Sequence, residues 1–124
     1  MSKATEHMLD GRCVLVVEDQ YLVADEMRRM VKAMGGDVLG PVARAKAALE
    51  LLSGRAVDFA LLDINLGDGN AYEVATELIR RDVPFLFATG SEPWVIPDEF
   101  QEVPRLDKPL TSRTLADAVH RLGL

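Results

Sequence analysis

Three carboxylates, one hydroxyl and one ammonium stand out in this 124-residue chain, because each lies at or just beyond the end of an apolar run. Glu18 and Asp19 follow CVLVV, Asp63 follows FALL, Thr89 follows FLFA, and Lys108 comes directly after VPRLD. Acids placed this way repel if the fold gathers them. Like charges about 5 Å apart cost roughly 3 kcal/mol per pair at an effective dielectric near 20. Such a cluster calls for a cation. Every ligand on offer is oxygen, with no suitable His or Cys nearby in sequence, which favours Mg²⁺ over zinc. The backbone carbonyl of Asn65, two residues past Asp63, is a further candidate ligand. Three carboxylates against Mg²⁺ and Lys108 sum to zero charge. A site so balanced can take a phosphoryl group. Mg²⁺, Lys108 and the Thr89 hydroxyl would hold its oxygens while the Asp63 carboxylate attacks phosphorus.

The elements that must bring these residues together are legible as alternating runs. Val14–Val17, Phe59–Leu62 and Phe85–Ala88 are continuous rather than alternating, the pattern of parallel strands covered on both faces. Val38–Val42 and Val103–Leu106 contain Pro41 and Pro104, which suits sheet edges. Between them lie helical patterns. Val23, Met27, Met30, Val31 and Met34 fall on one helix face, stopped by Gly35-Gly36. Ala45, Ala48, Leu49 and Leu52 repeat it up to Gly54, and Val74, Ala75, Leu78 and Ile79 do so again, with Asn70 as cap and Glu73 three residues on. Leu115, Ala118, Val119 and Leu122 make the last helix, capped by Thr111. The segment 90–103 holds Pro93 and Pro97 and has no clean period, so its helix is expected to be short or irregular. Five strand-helix repeats with right-handed crossovers and proline-bearing edges give an α/β doubly wound parallel sheet of strand order 2-1-3-4-5. Sites in such sheets form beyond the carboxyl ends of strands 1 and 3, where the acids stand.

Composition bounds the rest. Hydrophobic content of 48% and charged content of 27% suit one soluble domain. Residues 1–10 are expected to be a flexible tail and 11–124 the domain, with no linker and no second domain to supply an output. The net charge of −6 argues against nucleic acid as partner. No run reaches the ~18 apolar residues of a membrane span, and the first residues carry no export signal, so the expected location is the cytoplasm. The lone Cys13 reads as a buried, inert thiol. His7 and His120 read as solvated, Arg28-Arg29 and Arg80-Arg81 as solvated helix faces, Asp68 as a turn residue and Asp107 as loop polarity. Trp94 reads equally well as a contact residue or as a cover for the site.

The motifs VVED, LLDINLGDG, FATG and DKP together resemble the receiver domain of two-component response regulators, over nearly the whole length from Arg12 to Leu122. The GPVARAKAALELL, DINLGDG and PFLFATG stretches are similar to the stand-alone FAT-G receivers of alphaproteobacteria. The resemblance implies a flavodoxin-like (βα)5 fold. It implies Asp63 as phospho-acceptor, Asp19 as direct metal ligand, Glu18 as a ligand directly or through water, Asp63 and the Asn65 carbonyl completing the set, Thr89 as switch hydroxyl and Lys108 as phosphate-binding lysine. It implies Mg²⁺ as cofactor, with Mn²⁺ or Ca²⁺ as substitutes, and a cis Lys108–Pro109 peptide. It implies a single-domain response regulator that takes its phosphoryl group from a sensor histidine kinase or a histidine phosphotransfer protein. Output would be protein contact or phosphate shuttling or draining, by a monomer or weak homodimer. Two departures stand out. Ser91 occupies a place where the subgroup often has an aromatic, and Arg105 stands three residues before the lysine, where many receivers have Tyr or Phe. The signal is therefore expected to run through Thr89 and ordering of residues 91–100. The alternative is a phosphorylation-independent docking module. A phosphatase acting on outside substrates would need a general acid where Asn65 stands, so the chain is expected not to be an enzyme beyond its own phosphorylation and dephosphorylation.

Overall fold

The computed structural model describes residues 6–66, 69–90 and 96–124, with backbone alone at 69–70. Five parallel strands form one sheet: β1 (Cys13–Val17), β2 (Asp37–Val42), β3 (Phe59–Asp63), β4 (Phe85–Thr89) and β5 (Arg105–Asp107), in the spatial order β2-β1-β3-β4-β5. Both proline-marked segments are edges, as expected. Among the described residues, the α-helices that connect and close it are α1 (Tyr21–Ala33), α2 (Ala45–Gly54), α3 (Tyr72–Arg80) and α4 (Ser112–Arg121). Where a further helix would precede β5, the described residues hold a single 3₁₀ turn, Asp98–Phe100. Residues 91–95, with Ser91 and Trp94, lie outside the described residues, as does Asp68.

The continuous apolar strands serve two cores. Leu15, Val17, Ala60, Leu62, Phe85 and Phe87 pack on one face, with α2 and α3. Val14, Val16, Phe59, Leu61, Leu86 and Ala88 pack on the other, with α1 and α4. This is the two-residue pleat written into sequence. Met27 of α1 and Met34 just past its end are fully buried in the core, and Met30 is half-buried against it.

Several local expectations change. Residues 6–10 are not a loose tail: Leu9 is fully buried and its N–H donates to the Met34 carbonyl at the end of α1. Burial of the Leu9 side chain over the helix end offsets part of the freedom this short segment loses on ordering, and its backbone hydrogen bonds add to that. Asn70 does not cap α3. The helix begins a residue later with Ala71 at its N-cap, and Asn70 pairs through its backbone with Asn65 in a two-residue antiparallel ladder. Ile79 is exposed, and Cys13 is half-buried, at the rim of the sheet. Thr111 does cap α4, accepting from the Thr114 N–H at 3.1 Å. Gly35 closes α1 at φ +88, and an added Cβ would fall 1.7 Å from Asp10 Oδ1. The arginine pairs are not free: Arg28 and Arg29 share Asp25, Arg80 and Arg81 share Glu77, and Arg81 also donates to the Leu52 carbonyl. No helix of the described residues is long and apolar enough to cross a membrane.

Candidate functional site

The register of the sheet assembles the acids. Val14–Val17 of β1 pair in order with Phe59–Leu62 of β3, so the next residues on each strand, Glu18 and Asp63, arrive side by side. Each follows an inward residue of the same core by two positions, so the pleat gives both carboxylates the same face. Asp19 completes the group. Carboxylate oxygens of Glu18, Asp19 and Asp63 lie within 4.8 Å of one another. Glu18 and Asp63 are 2% and 5% exposed, the two buried charged residues among those described, while Asp19 is exposed.

Lys108 enters from beyond β5. Its N–H donates to the Thr89 carbonyl at 2.7 Å, which fixes the loop against β4, and the Lys108–Pro109 peptide is cis. The ammonium lies 2.7 Å from Glu18 Oε1 and 3.2 Å from Asp63 Oδ1. Burial works against its charge, but Glu18 and Asp63 outweigh that and raise its pKa above the ordinary lysine value. One ammonium does not neutralise three acids. Loss of water around Asp63, then the Glu18 charge and a hydrogen bond with Asp19, push the Asp63 carboxyl up to about 7 despite Lys108. Glu18 Oε1 is buried and, among the described residues, has no well-aligned hydrogen-bond donor, only the ionic contact to Lys108. A buried carboxylate oxygen left in that state fits a cation ligand. The all-oxygen donor set fits Mg²⁺, and Asn65 adds rigidity, its N–H donating to Asp63 Oδ1 at 3.3 Å.

Residues 14–120 match the family described as response regulator receiver domain. This chain belongs to that family. A positive alginate biosynthesis regulatory protein of Pseudomonas aeruginosa is 32% identical over 114 residues, covering 87% of this chain and 46% of that protein. The chain spans less than half the length of the curated relatives it matches. The solution structure of SdrG from Sphingomonas melonis Fr1 superposes with a TM-score of 0.82 at 32% identity, covering 100% of both chains. The BeF3-activated conformation of SdrG, from Pseudomonas melonis Fr1, superposes with a TM-score of 0.76 at the same identity and coverage.

Sequence placed Glu18, Asp19, Asp63 and Lys108 together, and the receiver fold does gather them. Thr89 stands apart from that cluster in its bonding. It ends β4, and its hydroxyl donates to Asp107 Oδ1 at 3.3 Å. Asp107, expected as loop polarity, is this partner, and the signal that points to it is the pairing register of β4 with β5. A second missed feature is aromatic. Tyr72 stacks on Phe100 with centroids 5.3 Å apart, and Phe87 meets each ring edge-on at 6.1 Å. This joins the 3₁₀ turn to the start of α3 and to a strand position two residues before Thr89. Beside Asp19 a groove of about 310 Å³ is lined in part by Tyr21, Ala24, Arg28, Pro41 and Val42. Tyr21 is 82% and Leu22 75% exposed.

Proposed function

We propose that this receiver takes a phosphoryl group on Asp63 from a phosphohistidine of a sensor kinase or phosphotransfer protein, in the cytoplasm, and passes the signal on by protein contact or as a phosphate shuttle or sink. The observation that carries the reading is the buried Glu18–Asp63–Lys108 constellation with Asp19 at its mouth. Glu18, Asp19, Asp63 and the Asn65 carbonyl would hold Mg²⁺, which supplies positive charge to the phosphoryl oxygens and keeps Asp63 ionised near neutral pH. The Asp63 carboxylate forms the new O–P bond as the P–N bond to the donor breaks. The electron pair of that bond stays with the departing imidazole, which takes up a proton from solvent. As the charge on Asp63 passes to the phosphoryl oxygens, Lys108 follows it from Asp63 Oδ1 to those oxygens. The Thr89 hydroxyl donates to another. Asn65 offers no carboxylic acid for turnover of outside substrates, so the reaction stays on the protein itself. The exposed Tyr21-Leu22 pair beside the groove suits a protein donor, which must approach within bonding distance of Asp63.

The test is intact mass after incubation with Mg²⁺ and acetyl phosphate, for wild type and Asp63→Asn. The expected result is one phosphoryl mass gained by wild type alone and lost with a chelator. If no gain appears with acetyl phosphate or with any of a panel of kinases, the chain is a docking module that uses the receiver fold without phosphate.

A further inference from the structure

We propose that Asp107 is a positioning residue that detains the Thr89 hydroxyl in the unphosphorylated protein, so that Thr89 must leave Asp107 before it can serve the phosphoryl group. The proposal rests on the receiver reading above.

Three observations meet here. First, the two side chains are cross-strand partners. Thr89 pairs with Asp107 in the parallel β4–β5 register, and the Lys108 N–H to Thr89 carbonyl bond of 2.7 Å holds that register. The pleat puts both on one face: Thr89 follows Phe85 and Phe87 of one core, while Leu106, next to Asp107, belongs to the other core. Second, the hydroxyl donates to Asp107 Oδ1 at 3.3 Å, and among the described residues the Asp107 carboxylate has no other hydrogen-bond or ion-pair partner. Asp107 is exposed and fills no core. Third, the stoichiometry of a hydroxyl makes the two roles exclusive. Thr89 has one proton to donate, an ionised carboxylate only accepts, and a phosphoryl oxygen only accepts. Donation to Asp107 and donation to the phosphoryl group therefore compete. The long, solvent-facing bond to Asp107 is the weaker of the two, as a catch that must release requires.

The effect on binding equals the strength of the lost restraint, about threefold for an exposed hydrogen bond of this length. The experiment titrates beryllofluoride in the presence of Mg²⁺ and follows backbone amide resonances for wild type, Asp107→Ala, Asp107→Asn, Thr89→Val and the Thr89→Val/Asp107→Ala double variant. Asp107→Ala is expected to bind about threefold tighter than wild type. Asp107→Asn, which keeps an acceptor oxygen, is expected to stay nearer wild type. In the Thr89→Val background the Asp107→Ala gain is expected to vanish. Without Mg²⁺ or beryllofluoride, the side-chain couplings of Thr89 should show one rotamer in wild type and averaging in Asp107→Ala.

An equal gain in the Thr89→Val background overturns the proposal, because Asp107 would then act only as a charge repelling an anion. An unchanged Asp107→Ala affinity overturns it as well. Failure of the wild type to bind beryllofluoride at all is a different result: it removes the phosphoryl-acceptor reading itself, and this proposal with it.

Discussion

The carboxyl edge of the sheet has two halves that are built on opposite principles. Over β1 and β3 the chain buries charge: Glu18 and Asp63 are out of water, face each other, and share one ammonium. Over β4 and β5 it keeps its polar groups wet and buries rings instead, with Phe87, Phe100 and Tyr72 in edge and stacked contacts under a solvent-facing Thr89–Asp107 bond. The first half is poised because its charges do not balance. The second half is anchored because its apolar contacts do not depend on charge. A chemical event at Asp63 alters the first half directly and reaches the second through Lys108, whose ammonium touches Asp63 and whose backbone N–H is bonded to the Thr89 carbonyl.

Removing the anchor gives the largest expected effect. Phe100 is 1% exposed and lies against both Tyr72 and Phe87. Phe100→Ala should cost about 4 kcal/mol, from lost burial, the cavity left behind and the lost ring contacts. Urea unfolding with and without Mg²⁺ should show the same loss, since the contacts that Phe100 gives up are ring-to-ring and apolar. A loss below about 1 kcal/mol, or one that Mg²⁺ restores, would break the claim that this half is anchored chiefly by apolar contact.

Removing the shared cation comes next. Lys108→Met leaves Glu18 and Asp63 facing each other with nothing between them, which should cost about 3 kcal/mol at pH 8 in EDTA. At pH 5 the loss should be smaller, because Asp63, with its pKa raised to about 7, is protonated in both proteins and does not repel Glu18. Mg²⁺ should restore most of the stability at pH 8. Urea midpoints at the two pH values check both statements, and equal losses at both would show that the lysine acts through packing of its alkyl stem.

The two halves also differed in how far sequence disclosed them. Glu18, Asp19, Asp63 and the three central strands were legible because an acid at the end of a doubly buried strand breaks a strong apolar pattern, and strand order then fixes where it lands. The edges were legible because proline has no N–H for the ladder. The Thr89–Asp107 bond was not, since it depends on the register of a three-residue edge strand, and a short strand carries no pattern from which register can be read. Nor was the aromatic contact, because Tyr72, Phe87 and Phe100 are separated by whole elements and no local period links them. Leu9 escaped for a related reason: one apolar residue in a polar segment has no periodicity, and only the uncovered end of α1 tells where it goes.

The smallest of the three effects tests the imbalance of charge most directly, and its sign is opposite to that of most substitutions. In the folded protein the Asp63 carboxyl titrates at about 7, against 3.8 in its ordinary state. Below pH 3.8 it is protonated whether the chain is folded or not, and contributes nothing. As pH rises from about 4 to 7 the unfolded chain gives up this proton while the folded one keeps it, so the fold loses stability across that window and stays lower above it. Lys108 pulls the other way, and the raised value already includes that pull, so deleting the charge is a net gain. Metal-free Asp63→Asn should therefore match the wild type near pH 4 and exceed it by about 2 kcal/mol at pH 8, after allowance for solvent reaching the open mouth of the site. Asn at this position keeps an oxygen for the Asn65 N–H, so the gain is not offset by a lost hydrogen bond. Urea midpoints of the two proteins in EDTA across pH 4 to 8 isolate this one group, because every other acid is common to both. A difference that stays constant across the range would mean that Asp63 is already fully ionised at pH 5 and that Lys108 alone balances the cluster. In that case the need for a cation, on which the charge argument for the site rests, would be gone.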